Sequence, residues 1–149
     1  MNQVAPALIA IDHDDYNACH TGRTVDGRQF FVTTPFVPAT AADSGREFIA
    51  VDVFDLQGRL LEARIEDLGS RLHLDQDHAR NLLERRVAEL GKVVYQRIEV
   101  RPFEVDRFGI TFGLVPRPPE SDEGGWWVEV LPGNYMAFHE PWDSGEYDT

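Results

Sequence analysis

Cysteine, lysine and long apolar runs are what this chain has least of. One cysteine, Cys19, in 149 residues excludes an internal disulfide and fits a reducing compartment, so a cytoplasmic location is expected. The plain expectation for that thiol is burial in the core. No apolar run approaches the length of a membrane span. No basic stretch followed by a long apolar one opens the chain, so no secretory signal is expected. The sequence has no Gly-x-Ser-x-Gly elbow, no phosphate-cradling glycine loop and no dinucleotide fingerprint. No cysteine pair supports zinc or an iron–sulfur cluster. No cofactor and no catalytic residue is therefore expected.

Positive charge is scarce as well. The formal net charge is −12. Nucleic-acid binding depends on Lys and Arg neutralising phosphates, so nucleic acid is excluded as a partner, and so is an anionic membrane. The charge is unevenly placed. Ten of the fourteen basic residues lie between Arg59 and Arg107, while residues 118–149 hold eight acidic residues and no Lys or Arg. The plainer reading of this acidity is solubility; the functional one is attraction to a basic partner protein.

What is present is a single domain over residues 1–149. A chain this long buries roughly two-thirds of its unfolded surface, and 42% hydrophobic residues suit a globular core. Residues 4–11 are apolar and end in the polar turn Asp12-His13-Asp14-Asp15. Residues 22–34 spell a hairpin around Asp26-Gly27, a pair that accepts positive φ. Residues 47–55 form the clearest strand, with Ile49, Val51 and Val53 on one face and Phe48, Ala50, Asp52 and Phe54 on the other. They turn at 55–58 into a second hairpin. Residues 75–90 are the one helix, with Ala79, Leu82, Leu83, Val87 and Leu90 on a single stripe. Asp75 suits its N-cap and Gly91 its C′ position. Its wet side carries Arg80, Glu84, Arg85 and Arg86. Strands are expected at 92–100 and 108–115, and a last hairpin at 126–131 and 134–138 around Pro132-Gly133. The pattern predicts an α+β fold. It is mainly an antiparallel twisted sheet of about seven or eight strands with one amphipathic helix packed on it.

The C-terminal stretch 126–149 stands out. It holds all three tryptophans, Trp126, Trp127 and Trp142, together with His139, Glu140, Asp143, Glu146, Tyr147 and Asp148. A terminus this aromatic is expected to dock, because each large ring buries much area when packed. Strand neighbours point to opposite sides, so one of Trp126 and Trp127 is expected in the core and Trp127 is the candidate for partial exposure. The candidate binding residues are Trp127, His139, Glu140, Trp142, Asp143, Glu146 and Tyr147. Imidazole beside carboxylates also suits acid–base work or metals, but His139-Glu140-Pro141 is not a ligand spacing. The Asp12–Asp15 turn with His20 lacks the oxygen spacing of a metal loop, so no metal is assigned. If the two ends of the chain pair in space, these two clusters merge.

Several short motifs stand out along the chain: Gly22-Arg23, Asp26-Gly27-Arg28-Gln29-Phe30, Val53-Phe54-Asp55 with Gly58, Arg101-Pro102-Phe103, Phe112-Gly113-Leu114, and the closing Pro141-Trp142-Asp143 and Tyr147-Asp148-Thr149. In these the chain resembles a group of uncharacterised bacterial proteins often labelled formate hydrogenlyase regulatory protein. The resemblance implies a regulator and carries no catalytic residues. The functional expectation is a non-enzymatic protein-binding module, a regulator or an immunity-type inhibitor of a basic partner. The alternative is a small metal- or ligand-binding enzyme using the His/carboxylate cluster of the tail. A third reading is a homodimer formed through the exposed tryptophan and the tail.

Overall fold

Residues 48–54 are buried without interruption, and apolar side chains alternate to both sides of that strand. A strand apolar on both faces has to be covered on both faces. The computed structural model, which describes residues 4–133 and 135–149, shows what covers it. The elements run β1 (Ile9–Ile11), β2 (Thr21–Thr24), β3 (Gln29–Thr33), β4 (Phe36–Val37), β5 (Arg46–Phe54), β6 (Leu60–Ser70), a 3-10 turn (Arg71–His73), α1 (Gln76–Ala88), β7 (Val93–Tyr95), β8 (Ile98–Val100), β9 (Phe103–Arg107), β10 (Ile110–Arg117), β11 (Trp127–Leu131) and β12 (Ala137–Phe138).

The fold is α+β, mostly antiparallel strand with a single helix. Among the described residues there are twelve strands, more than the seven or eight that the sequence pattern suggests, and they form three sheets rather than one. A six-stranded sheet runs β4-β5-β3-β2-β7, with β6 also on β5; a four-stranded sheet runs β12-β11-β10-β9; β1 pairs with β8. The extra strands come from breaks. Pro35 divides one strand into β3 and β4, which lie along the same side of β5. The expected strand 92–100 divides into β7, which pairs with β2, and β8, which turns away to pair with β1. Residues 103–107 also form a strand, β9, beside β10. Asn134, expected to open the last strand, lies outside the described residues.

Each local signal has its counterpart. Asp55 accepts the amides of Gln57 and Arg59, both at 2.9 Å, and closes the β5–β6 turn. Asp75 accepts the His78 amide at 3.1 Å and caps α1. Gly91 holds φ +80° but lies one position beyond the expected C′ place, because α1 ends at Ala88 with Glu89 as its C-cap.

Two apolar compartments result. α1 lays Leu82, Leu83 and Val87 over Phe30, Val32, Ile49, Val51 and Val53. On the opposite side, Phe31 and Phe54 join Leu114, Val128, Val130 and Phe138, with Ile9, Ile11, Ile98 and Val100 from the β1–β8 pair. The buried Gln29 ties these parts together. Its amide donates to the carbonyls of Asp55 (3.0 Å) and Glu99 (2.9 Å) and accepts from the Glu99 amide (2.8 Å). Asp52 lies opposite Phe31 and Ala63 and is 7% exposed. Burial pushes its carboxyl up to about 8.

Candidate functional site

The two ends of the chain do meet. The tail runs antiparallel to its own last strand for one step, where Ala137 and Asp148 exchange backbone bonds of 2.9 and 2.8 Å. It also lies along the N-terminal segment. Ala10 donates its amide to the Trp142 carbonyl and Asp12 to that of Gly145, each at 2.9 Å. Trp142 and Tyr147 are half-buried and pack on the compartment between the sheets. Tyr147 sits near Phe138, ring centroids 5.9 Å apart.

Tyr147 is the hinge pin of this joint. Its hydroxyl donates to the Asp14 carboxylate and accepts the Asn17 amide at 3.2 Å. Burial, then the hydrogen bond to Asp14, pushes the phenol up to about 12. Asp14 also accepts the amides of Tyr16 (2.8 Å) and Ala18 (2.9 Å). Burial works to raise the Asp14 pKa, but the bonds from Tyr147, Tyr16 and Ala18 outweigh it and hold the carboxyl below its usual value. Asp14 is thus a built-in anion, fixed in place.

Arg97, at the start of β8, closes the other side. It pairs with Asp12 at 3.1 Å and donates to the carbonyls of Ser144 (3.4 Å) and Asp143. Gly145, with φ +82°, lies directly on the Asp12 carboxylate; a Cβ there would sit 2.3 Å from its Cγ. Arg97 and Gly145 had no signal in the sequence, because their partners are remote along the chain.

The acidic side chains stay outside. His139, Glu140, Asp143, Glu146 and Asp148 are exposed. His139 Nδ1 lies 3.2 Å from an Asp148 carboxylate oxygen. A groove of about 470 Å³ runs between tail and N-terminal turn, lined by Asp12, Asp14, Tyr16, Gly145, Glu146, Tyr147 and Asp148. A second, of about 290 Å³, adjoins it across Glu146, Tyr147 and Asp148 and reaches His139, Glu140, Pro141 and Ser144. Among the described residues no Lys or Arg lines either groove. Among the described residues no group of three or more His, Cys, Asp or Glu side chains is placed to hold a metal ion. The merger of the two clusters therefore makes an acidic surface without making a ligand set.

Trp127 is elsewhere. It and Trp126 are both half-buried, so neither is the core tryptophan expected from strand alternation; Val128 and Val130 take the buried positions of β11. Trp127 donates through Nε1 to Glu129 at 3.0 Å, and Glu129 also holds Arg117 at 3.2 Å. Cys19 is half-buried rather than fully buried. Burial, with the nearby charges of Asp14 and Asp15, pushes its thiol up, which keeps it protonated and a poor nucleophile. No helix among the described residues is long and apolar enough to cross a membrane. Comparison with protein-family models, with curated proteins and with solved structures finds no match for this chain.

Proposed function

We propose that this protein is a non-enzymatic binding module that receives a basic segment of a partner protein in the groove between its N-terminal turn and its tail and in the adjoining groove along the tail. The observation that carries this reading is the lining: Asp12, Asp14, Glu140, Glu146 and Asp148 bound two adjoining grooves. Among the described residues their lining includes His139 but no Lys or Arg, and of these carboxylates only Asp12 is paired with an arginine, Arg97. Tyr16, 70% exposed at the mouth, offers an aromatic face to a Lys or Arg stem. Fixed carboxylates around an aromatic steer a basic partner and raise its on-rate. A stoichiometric regulator or an immunity-type inhibitor works this way, and a regulator is what the family resemblance implies. The scarcity of cysteine suits action in the cytoplasm.

The test is capture from a lysate of the source organism at low and moderate salt, comparing wild type with the Glu146→Lys/Asp148→Lys variant. A basic protein retained by wild type and lost from the variant supports the reading. Retention that ignores the charge reversal sinks it. The ligand-binding alternative draws only on the His139–Asp148 contact. A thermal-shift screen with divalent ions separates the two, since a ligand that binds the native state raises Tm.

A further inference from the structure

The longest strand of the molecule has one open side. β6 spans eleven residues and pairs only with β5; among the described residues no strand meets its other edge. Exposed edges invite strand addition and are usually blunted. Here the register shifts against β5 at both ends, leaving Leu61 and Leu68 as bulged residues. Residues 62–67 between them stay in regular register.

This straight stretch carries a charge pattern that matches itself. Glu62, Arg64 and Glu66 stand opposite Val53, Val51 and Ile49, so all three share the face covered by α1. Antiparallel pairing with a second copy about a two-fold axis sets same-face residues opposite each other. The register that opposes Arg64 to Glu62 gives two Arg–Glu pairs across the seam. The register that opposes Arg64 to Glu66 also gives two. Registers centred on Glu62, Arg64 or Glu66 instead set like charges together, so charge selects the two offset ones. Arg64 already lies 2.6 Å from Glu62 of its own strand and 3.9 Å from Glu89; of its five guanidinium N–H groups these engage Nε and one terminal nitrogen, which leaves donors for a partner. From α1, Arg86 reaches back to Glu66 and also pairs with Glu89.

Electrostatics favour this segment over the acidic tail for self-association. A net charge of −12 opposes self-association. Yet residues 59–107 contain ten basic and ten acidic side chains, so the whole excess lies outside them. β6, α1 and β9 all belong to that neutral segment, while the acidic grooves do not.

We infer that the chain forms a homodimer by antiparallel pairing of β6 with β6 of a second copy, in a register set by Arg64 and its glutamate neighbours. The paired stretch is short, so the dimer is of the small, exchanging kind.

Sedimentation equilibrium across the micromolar range tests this. Wild type is expected to rise with concentration toward twice 16.9 kDa. Arg64→Glu, which makes the row wholly acidic, and Glu62→Arg/Glu66→Arg, which makes it wholly basic, are each expected to stay monomeric. Mixing the two is expected to restore a one-to-one dimer. Circular dichroism melts confirm that each variant is folded. Amide hydrogen exchange on the unmodified chain gives an independent reading: residues 62–67 gain protection as concentration rises. A wild type that stays monomeric, a dimer that survives both charge variants, or protection that appears elsewhere overturns the inference.

Discussion

The Tyr147 hydroxyl donates to the Asp14 carboxylate across 133 positions of sequence. That bond, with the backbone bonds Ala10–Trp142 and Asp12–Gly145, makes the C-terminal tail part of the fold and the acidic grooves a fixed surface. Tyr147→Phe removes the donor to Asp14 and the acceptor of the Asn17 amide while keeping the ring on Phe138. A loss of about 1–3 kcal/mol is expected in urea unfolding, as for a bond to a charged group. Combined with Asp14→Asn, the losses should fall short of additive. Full additivity would mean that the two side chains do not work as a pair.

Gly145→Ala attacks the same joint from the backbone side. The residue holds φ +82°, and an added Cβ would meet the Asp12 carboxylate at 2.3 Å. Left-handed backbone costs a non-glycine residue about 1–2 kcal/mol, and the collision with Asp12 adds to it. Asp12 would have to turn away and leave Arg97. The expected result is a tail cut early by carboxypeptidase or other proteases while the α1 compartment keeps its melting behaviour. A variant as resistant as wild type would show that the tail does not depend on this contact.

How much of this was readable beforehand divides by distance along the chain. The hairpin at Gly27, the turn at Asp55 and the caps of α1 rest on residues within a few positions of one another, so their chemistry is written locally. The doubly apolar alternation of residues 48–54 was legible, but a single sheet with one helix covers only one face of that strand, and the second sheet that covers the other was not expected. The split of 92–100 into β7 and β8 was not readable, because it depends on β1 competing with β2 for the same strand. The aromatic content of the tail did signal docking. Where it docks was hidden, since Arg97 and Gly145 are ordinary residues until Asp12 is beside them.

Asp52 gives the protein an acid-favoured term. Its carboxyl is raised to about 8 by burial, against 3.8 for the ordinary side chain. The folded state then holds a proton that the unfolded chain has lost. This contribution is complete below pH about 4 and declines as pH rises toward 8, at about 1.4 kcal/mol per pH unit. Asp52→Asn keeps the shape of the neutral acid and removes the titration. It is expected to match wild type near pH 4 and to be the more stable of the two at pH 8. Equal stability of both forms at pH 8, measured by denaturant unfolding, would show that the carboxyl is ionised in the fold.

His20 acts with the opposite sign. Its Nδ1 is buried without a hydrogen-bond partner, its ring lies 6.2 Å from Tyr95, and His13 stacks on that same tyrosine at 5.2 Å. Burial, then the like charge of His13, lowers the His20 pKa below 6.5. The unfolded chain therefore takes up this proton first. The stability due to neutral His20 is fully present above pH 6.5 and is lost as pH falls through the lower folded value. NMR titration of the ring protons is expected to place the His20 midpoint below 6.5, and His13→Gln is expected to raise it by removing the neighbouring charge. Because Asp52 and His20 oppose each other between about pH 4 and 6.5, wild-type stability alone reports only their difference there. In the Asp52→Asn background the loss between pH 6.5 and about 4 is read apart from Asp52, and above the range where the lowered Asp14 carboxyl is protonated; its absence there would remove His20 as a source of acid sensitivity.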